Sequence, residues 1–177
     1  SGKTIAIIGA AGGLGHYGIQ IAKAFGYKVI GVDIGSEKLE FIKKMGANFA
    51  VDVSEALETV KKEFKGVNAS IVFASEVAGF ELGLKLLKRG GVLIAVGLPA
   101  LSEGSFSVNP FSFILKGLHI TGSLVGTVEE MRELIQLAAD GKVRTHVGRL
   151  AKLSEINEVF EELEQGKLVG RAILEIQ

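Results

Sequence analysis

Gly9-Ala10-Ala11-Gly12-Gly13-Leu14-Gly15 is the stretch of this chain with the clearest chemical use. A glycine has no Cβ to hold a ligand away from the backbone. Where such a turn opens a helix, the first N–H groups are unpaired and the dipole is positive at that end, so a phosphate can be gripped. Asp33 follows about twenty residues later, the separation at which a carboxylate accepts hydrogen bonds from a ribose diol. The combination describes a site for a dinucleotide. Gly13, Leu14 and Gly15 are the expected N–H donors to the pyrophosphate, with Gly12 allowing close approach. The even spacing of Gly9, Gly12 and Gly15 leaves one residue more in the turn than the GxGxxG pattern, so a slightly wider loop is expected. A Cβ at Gly12 or at Gly15 is expected to abolish binding without unfolding the domain. Asp33 favours NAD over NADP, because a carboxylate bonds a 2′-hydroxyl and repels a 2′-phosphate. Lys38 reads as a surface lysine by default and lies within reach of the same ribose. A glycine turn alone also serves plain packing in many α/β proteins; the acid and the elements behind it give it weight.

Other chemistries find less support. Ser1-Gly2-Lys3-Thr4 has the ending of a phosphate-binding P-loop but lacks its leading glycine, and a strand follows where a helix should start. Neither Tyr17 nor Tyr27 has a lysine four residues on, as short-chain dehydrogenase chemistry requires. His16, His119 and His146 are not spaced as metal ligands. His16 falls in the first turn after the glycines, within reach of a phosphate; His119 reads as a sheet residue. A methyltransferase also uses a glycine turn and an acid on its second strand. Here, however, the fourth strand ends Ala74-Ser75-Glu76, without an Asn-Pro-Pro type motif.

The elements that must position these groups alternate. Thr4–Ile8 reads as a strand. The helix after the glycines has apolar or small residues at Leu14, Gly18, Ile21, Ala22 and Phe25. Lys28–Val32 is a second strand ending on Asp33. Ser36 caps a helix through Met45, closed by Gly46, before a short strand at Phe49–Val51. Ser54 caps a helix with Leu57, Val60 and Phe64 inward. Ser70–Ala74 reads as a strand buried on both faces. A helix over about Gly79–Arg89 and a strand at Gly91–Gly97 follow. After the turn-rich stretch between Pro99 and Pro110, Leu118–Gly122 is a sixth strand. Thr127 and Glu130 suggest a capping box for a helix reaching Asp140. Val147–Leu150 is a strand, Ser154 caps a last helix with Leu153, Ile156, Val159, Phe160 and Leu163 apolar, and Leu168–Ile176 closes as a strand. Alternating strands and helices predict an α/β fold, a doubly wound parallel sheet with six main strands and a C-terminal strand-helix-strand appendage.

Composition narrows the partners. The 177 residues carry zero formal net charge, which argues against nucleic acid, a ligand bound largely through phosphate neutralisation. There is no cysteine, so disulfides, thiolate catalysis and cysteine-held zinc are excluded within these residues. That fits a reducing compartment, and a cytoplasmic location is expected. No apolar run is long enough for a membrane span. Ser1 runs almost directly into the first strand, which suggests a piece of a longer protein.

Several segments taken together resemble the medium-chain, zinc-type alcohol dehydrogenases. They are the glycine turn, Ala22–Asp33, Met45-Gly46-Ala47, Val96-Gly97-Leu98-Pro99, Ile120–Gly126 and Gly166–Arg171. The Gly-Ala-Ala-Gly-Gly turn is shared with the yeast-like members, and the likeness covers the whole chain. It implies that Val96, Gly97 and Leu98 run beside the nicotinamide ribose, and that Ser123, Leu124 and Val125 bond the carboxamide. It also implies that Arg171 reaches the pyrophosphate and that Asp33 and Lys38 hold the adenosine ribose. Ser75, at the end of the fourth strand, joins this cofactor set. Phe106-Ser107-Val108 matches the edge strand through which family dimers join their sheets. Family members are about twice as long, and their zinc, its ligands and the proton relay lie in an N-terminal part without counterpart here. The expectation is therefore an NAD(H)-binding domain over residues 1–142, with 143–177 packing on that other part, inactive alone. The alternative is a stand-alone NAD-responsive binding module.

Overall fold

The computed structural model describes residues 2–176. Six strands, β1 (Thr4–Ile8), β2 (Lys28–Asp33), β3 (Phe49–Asp52), β4 (Val67–Val72), β5 (Leu87–Ala95) and β6 (His119–Gly122), form one sheet. Their order is β3-β2-β1-β4-β5-β6, and every neighbouring pair is parallel. The chain winds outward from β1 in one direction and resumes at β4 in the other. The crevice above the carboxyl ends of β1 and β4 is therefore a topological switch point, where ligands of such sheets bind. The connecting helices are α1 (Gly15–Ala24), α2 (Ser36–Lys44), α3 (Val53–Phe64), α4 (Val77–Leu86) and α5 (Pro110–Lys116). Beyond β6 come α6 (Val128–Ala139), β7 (Val147–Lys152), α7 (Ile156–Glu164) and β8 (Arg171–Glu175), with β7 and β8 paired in parallel as a second small sheet. Among the described residues no helix is long and apolar enough to cross a membrane.

Alternation along β1 supplies both cores. Ile5 and Ile7 pack with Ile19, Val29, Phe41 and Ile42. Ala6 and Ile8 pack with Ile30, Val32, Val60, Phe80, Leu86 and Leu93. Burying an aliphatic side chain of this size stabilises by about 1.5–3 kcal/mol, so these clusters set the sheet and, with it, the position of the turn at its rim. The expected burial of β4 on both faces holds for one only. Ser70 and Val72 are buried, whereas Ile71 and Phe73 are half-covered and line an open apolar groove of about 520 Å3 with Ile5, Ile21, Phe25 and Ile94.

Some element ends differ from the sequence reading, each for a local reason. Gly35, with φ 89°, occupies the position before α2, and Ser36 is already helical. Asp52 caps α3 by accepting from the Ser54 N–H, so Ser54 is donor rather than cap. α4 stops at Leu86, because Leu87 already pairs with Val67 in β5 and Gly90 turns with φ 69°. Ser154 lies in a 3-10 turn over Leu153–Glu155 that leads into α7. The capping box at Thr127 and Glu130 is formed as expected. Phe106–Val108 makes no ladder among the described residues. The strand beside β5 is β6, while Phe106 stacks on Phe80 at 5.7 Å between ring centroids. The free edge on that side of the sheet is therefore β6.

Candidate functional site: the glycine turn and its crevice

The turn is pinned to β2. The N–H groups of Gly9 and Ala10 both donate to the Val32 carbonyl, at 3.0 and 3.2 Å, and Gly12 N–H donates back to the Gly9 carbonyl at 3.3 Å. α1 then starts at Gly15 with no side-chain cap. Among the described residues, the N–H groups of Gly13 and Leu14 meet no acceptor. Unpaired donors at a helix N-terminus are what an anion takes up.

The glycines divide by what surrounds them. A Cβ at Gly15 would overlap the Gly9 carbonyl oxygen, and one at Gly9 would lie 2.8 Å from the Ala74 nitrogen. Those two positions serve internal packing. At Gly12 an added Cβ would meet only the Gly9 oxygen, at 3.4 Å, an ordinary contact. No internal packing demands glycine there. Gly12 and Gly15, expected to behave alike on substitution, are thus different in kind. At Gly13 an added Cβ would lie 2.6 Å from an Arg171 Nη, which places that guanidinium directly over the turn.

Asp33 ends β2 and is nearly buried, at 9 % exposure. Its Oδ2 accepts the Ala11 N–H at 2.9 Å, its Oδ1 accepts the Ile34 N–H at 2.9 Å, and Lys38 Nζ lies 3.4 Å from Oδ1. The carboxylate therefore braces the glycine turn as well as standing at its rim. The bracing role was not legible from spacing alone.

Across the crevice, Val96 and Gly97 both donate their N–H to the Val72 carbonyl, at 3.1 and 2.8 Å, folding the end of β5 over β4. A Cβ at Gly97 would overlap the Ala74 carbonyl oxygen. Leu98 is exposed, as is Ser75 at the end of β4. Ser123 is held by its N–H to the Ala95 carbonyl at 2.9 Å, and Leu124 and Val125 project into solvent. Val125 has φ 50°, a left-handed conformation rare for a β-branched residue. Strain of this kind collects at ligand sites.

The C-terminal segment belongs to the same site. Gly170 N–H donates to the Ala11 carbonyl at 2.9 Å, and Val169 packs on the α1–α2 core. Residues 144–146 lie along α1. They are held by His16, Tyr17 and Gln20, and His16 is fully buried rather than facing the phosphate position. This is why the buried side of α1 is His16, Ile19, Gln20 and Ala22, while Leu14 and Phe25 are exposed. Further along, Arg149 on β7 pairs with Glu155 at 3.3 Å, with Glu158 at 3.2 Å and with Glu162, fixing α7 to its strand. The sequence reading missed the α1 contacts; the available signal was the polar residues at 16, 17 and 20, spaced as one side of a helix.

A family model described as zinc-binding dehydrogenase matches residues 13–140. The chain belongs to the zinc-binding dehydrogenase family. Among relatives in this family, an alcohol dehydrogenase of Geobacillus stearothermophilus is 40% identical over 177 residues, spanning 99% of this chain and 51% of its own length. An alcohol dehydrogenase of Moraxella sp. (strain TAE123) is 39% identical over 171 residues, 96% of this chain and 49% of its own. The crystal structure of the alcohol dehydrogenase of the archaeon Aeropyrum pernix superposes with a TM-score of 0.90 at 37% identity, covering 98% of this chain and 50% of that one. The chain thus spans about half the length of the dehydrogenases it matches. The six-stranded sheet is the fold that the resemblance implied.

Proposed function

We propose that these residues form the NAD(H)-holding part of an alcohol dehydrogenase-type oxidoreductase, whose reaction moves a hydride between an alcohol and NAD. One arrangement carries the reading. The N–H groups of Gly13 and Leu14, unpaired among the described residues, open α1 where the Arg171 guanidinium lies over Gly13, beside Gly12, whose own surroundings leave room for a ligand. A pyrophosphate fits that donor set in charge and in hydrogen-bonding sense. This reading assigns Asp33 and Lys38 to the adenosine ribose, and Val96, Gly97, Leu98, Ser123, Leu124, Val125 and Ser75 to the nicotinamide end. The cofactor supplies the hydride; these residues bind and orient it. Zinc chemistry and selection of the alcohol are assigned to the part of the longer relatives that these residues do not match. Residues 1–142 form the cofactor domain in this reading. Residues 143–177 complete its turn and offer the exposed Leu153, Phe160 and Leu163 to the other part.

The test is calorimetric titration with NADH and NADPH, then an assay with a panel of alcohols. NADH is expected to bind more tightly than NADPH, with no alcohol turned over by these residues alone. Equal affinity for both cofactors would remove the role given to Asp33. Turnover of any alcohol would overturn the inactive-fragment reading.

Self-association is part of the proposal. Phe106–Val108 joins no ladder among the described residues, and Val108 is exposed. Unpaired strand-like backbone presents donors and acceptors to a second copy. Val108→Pro removes one of those donors, so a dimer in sedimentation velocity is expected to become a monomer. A monomeric unmodified chain, or a dimeric proline variant, would place the interface elsewhere or nowhere.

A further inference from the structure

Three side chains of α1 hold three consecutive residues of the segment before β7. Gln20 donates to the Arg144 carbonyl and accepts the Arg144 N–H, both at 3.0 Å. Tyr17 Oη bonds Thr145 Oγ1 at 2.6 Å. The His146 N–H donates to His16 Nε2 at 3.2 Å. The last bond fixes a chemical state. A backbone N–H can only donate, so Nε2 must be unprotonated, and the ring proton sits on Nδ1, 3.2 Å from the Gly12 carbonyl it donates to. One neutral imidazole therefore ties the glycine turn to residue 146. The His146 carbonyl in turn accepts the Arg171 N–H at 2.9 Å, which sets the start of β8 and with it the guanidinium over Gly13.

We propose that His16 is a positioning residue for pyrophosphate binding. As a neutral imidazole it locks residues 144–146 to the glycine turn and so holds Arg171 in place, and protonation releases the lock. The binding consequence rests on the cofactor reading above; the lock itself does not. The surroundings supply the switch. The ring is fully buried, against Tyr17 at 4.0 Å on its own helix and Phe41 of α2 at 6.4 Å between centroids. The groups facing it that carry or can acquire positive charge are Arg171 of β8 and His146 of the docked segment. Burial first, then these two charges, hold His16 below the usual histidine value of 6.5, against the pull of the Gly12 carbonyl. The lock is thus complete above 6.5 and is lost progressively as the pH falls below it.

The experiment titrates the full chain with ADP-ribose, which carries the pyrophosphate and adenosine ribose, at about pH 8 and about pH 5.5. Because His16 titrates below 6.5, affinity is expected to fall toward the lower pH by no more than about ten-fold. His16→Gln keeps an acceptor that does not titrate, so its affinity should match the unmodified chain at the higher pH and change less than about two-fold. His146→Gln removes the other imidazole but not the backbone donor, and should keep the full slope. A slope that survives in His16→Gln, or vanishes in His146→Gln, overturns the proposal. Nitrogen NMR of the unmodified chain reads the lock without any variant or ligand. The His146 amide should shift with the same midpoint as the His16 ring, and independent midpoints overturn the lock. Matching midpoints with no ADP-ribose binding at either pH would sustain the lock and sink the cofactor reading instead.

Discussion

Gly12→Val is expected to remove NADH binding while leaving the melting temperature almost unchanged. The added Cβ meets a single internal atom at contact distance, so the turn accepts it. The backbone at Gly12 is not left-handed, so no conformational strain is added. The isopropyl group instead occupies the space beside the unpaired Gly13 and Leu14 N–H groups. A loss of at least a hundred-fold, roughly 2.7 kcal/mol, is expected in fluorescence titration with NADH. Gly15→Val is the contrasting control. Its Cβ overlaps the Gly9 carbonyl oxygen, so the turn must deform, and overpacking of this kind costs about 1–3 kcal/mol or more. The two variants should therefore separate, one folded without binding and the other lower in melting temperature. A Gly12→Val protein that binds NADH normally would move the pyrophosphate site away from the turn.

Asp33 calls for two substitutions, because its carboxylate does two things. Asp33→Ala leaves the Ala11 N–H without its acceptor, and Ala11 is fully buried. An orphaned buried donor costs about 1–3 kcal/mol, and each kcal/mol lowers the melting temperature of a chain this size by about 2–4 °C. Asp33→Asn keeps an oxygen for the buried Ala11 N–H and removes the charge, together with the acceptor of the Ile34 N–H and the Lys38 pair at the rim. It should melt close to the unmodified protein while its preference for NADH over NADPH narrows by about ten-fold. Comparing the two by calorimetry and thermal denaturation separates bracing from recognition. If Asp33→Asn kept its full discrimination, the charge would have no part in choosing the cofactor. If Asp33→Ala melted normally, the brace would be idle.

Much of the frame was legible because parallel strands advertise themselves. β1, β2 and the Val92–Ala95 half of β5 are runs of apolar residues bounded by glycine or by charge, and Gly46 and Gly141 mark helix ends through positive φ. The helix starts were less legible. Serine at 36 and at 54 has the right chemistry for a cap, but Gly35 and Asp52 stand just before them with better geometry. The inward side of α1 was misread because apolar periodicity gives no credit to His16 and Gln20, which are buried through hydrogen bonds to residues far along the chain. The site divides in the same way. Glycines and an acid at the right spacing can be read locally, whereas the Asp33 brace and the docked segment depend on contacts that only the fold creates.

The bonds between α1 and residues 144–146 join positions separated by 124 to 130 places in the sequence. Contacts of such span form late, since the intervening chain must lose its freedom first. On the ribosome the six-stranded sheet can assemble as its strands emerge, but the turn at its rim, already held by Val32 and Asp33, gains its remaining contacts only when Gly170 and Arg171 have been synthesised. The proposed site is therefore completed only once β8 has begun to be synthesised. A nascent chain stalled before that point would carry a finished sheet without a finished site.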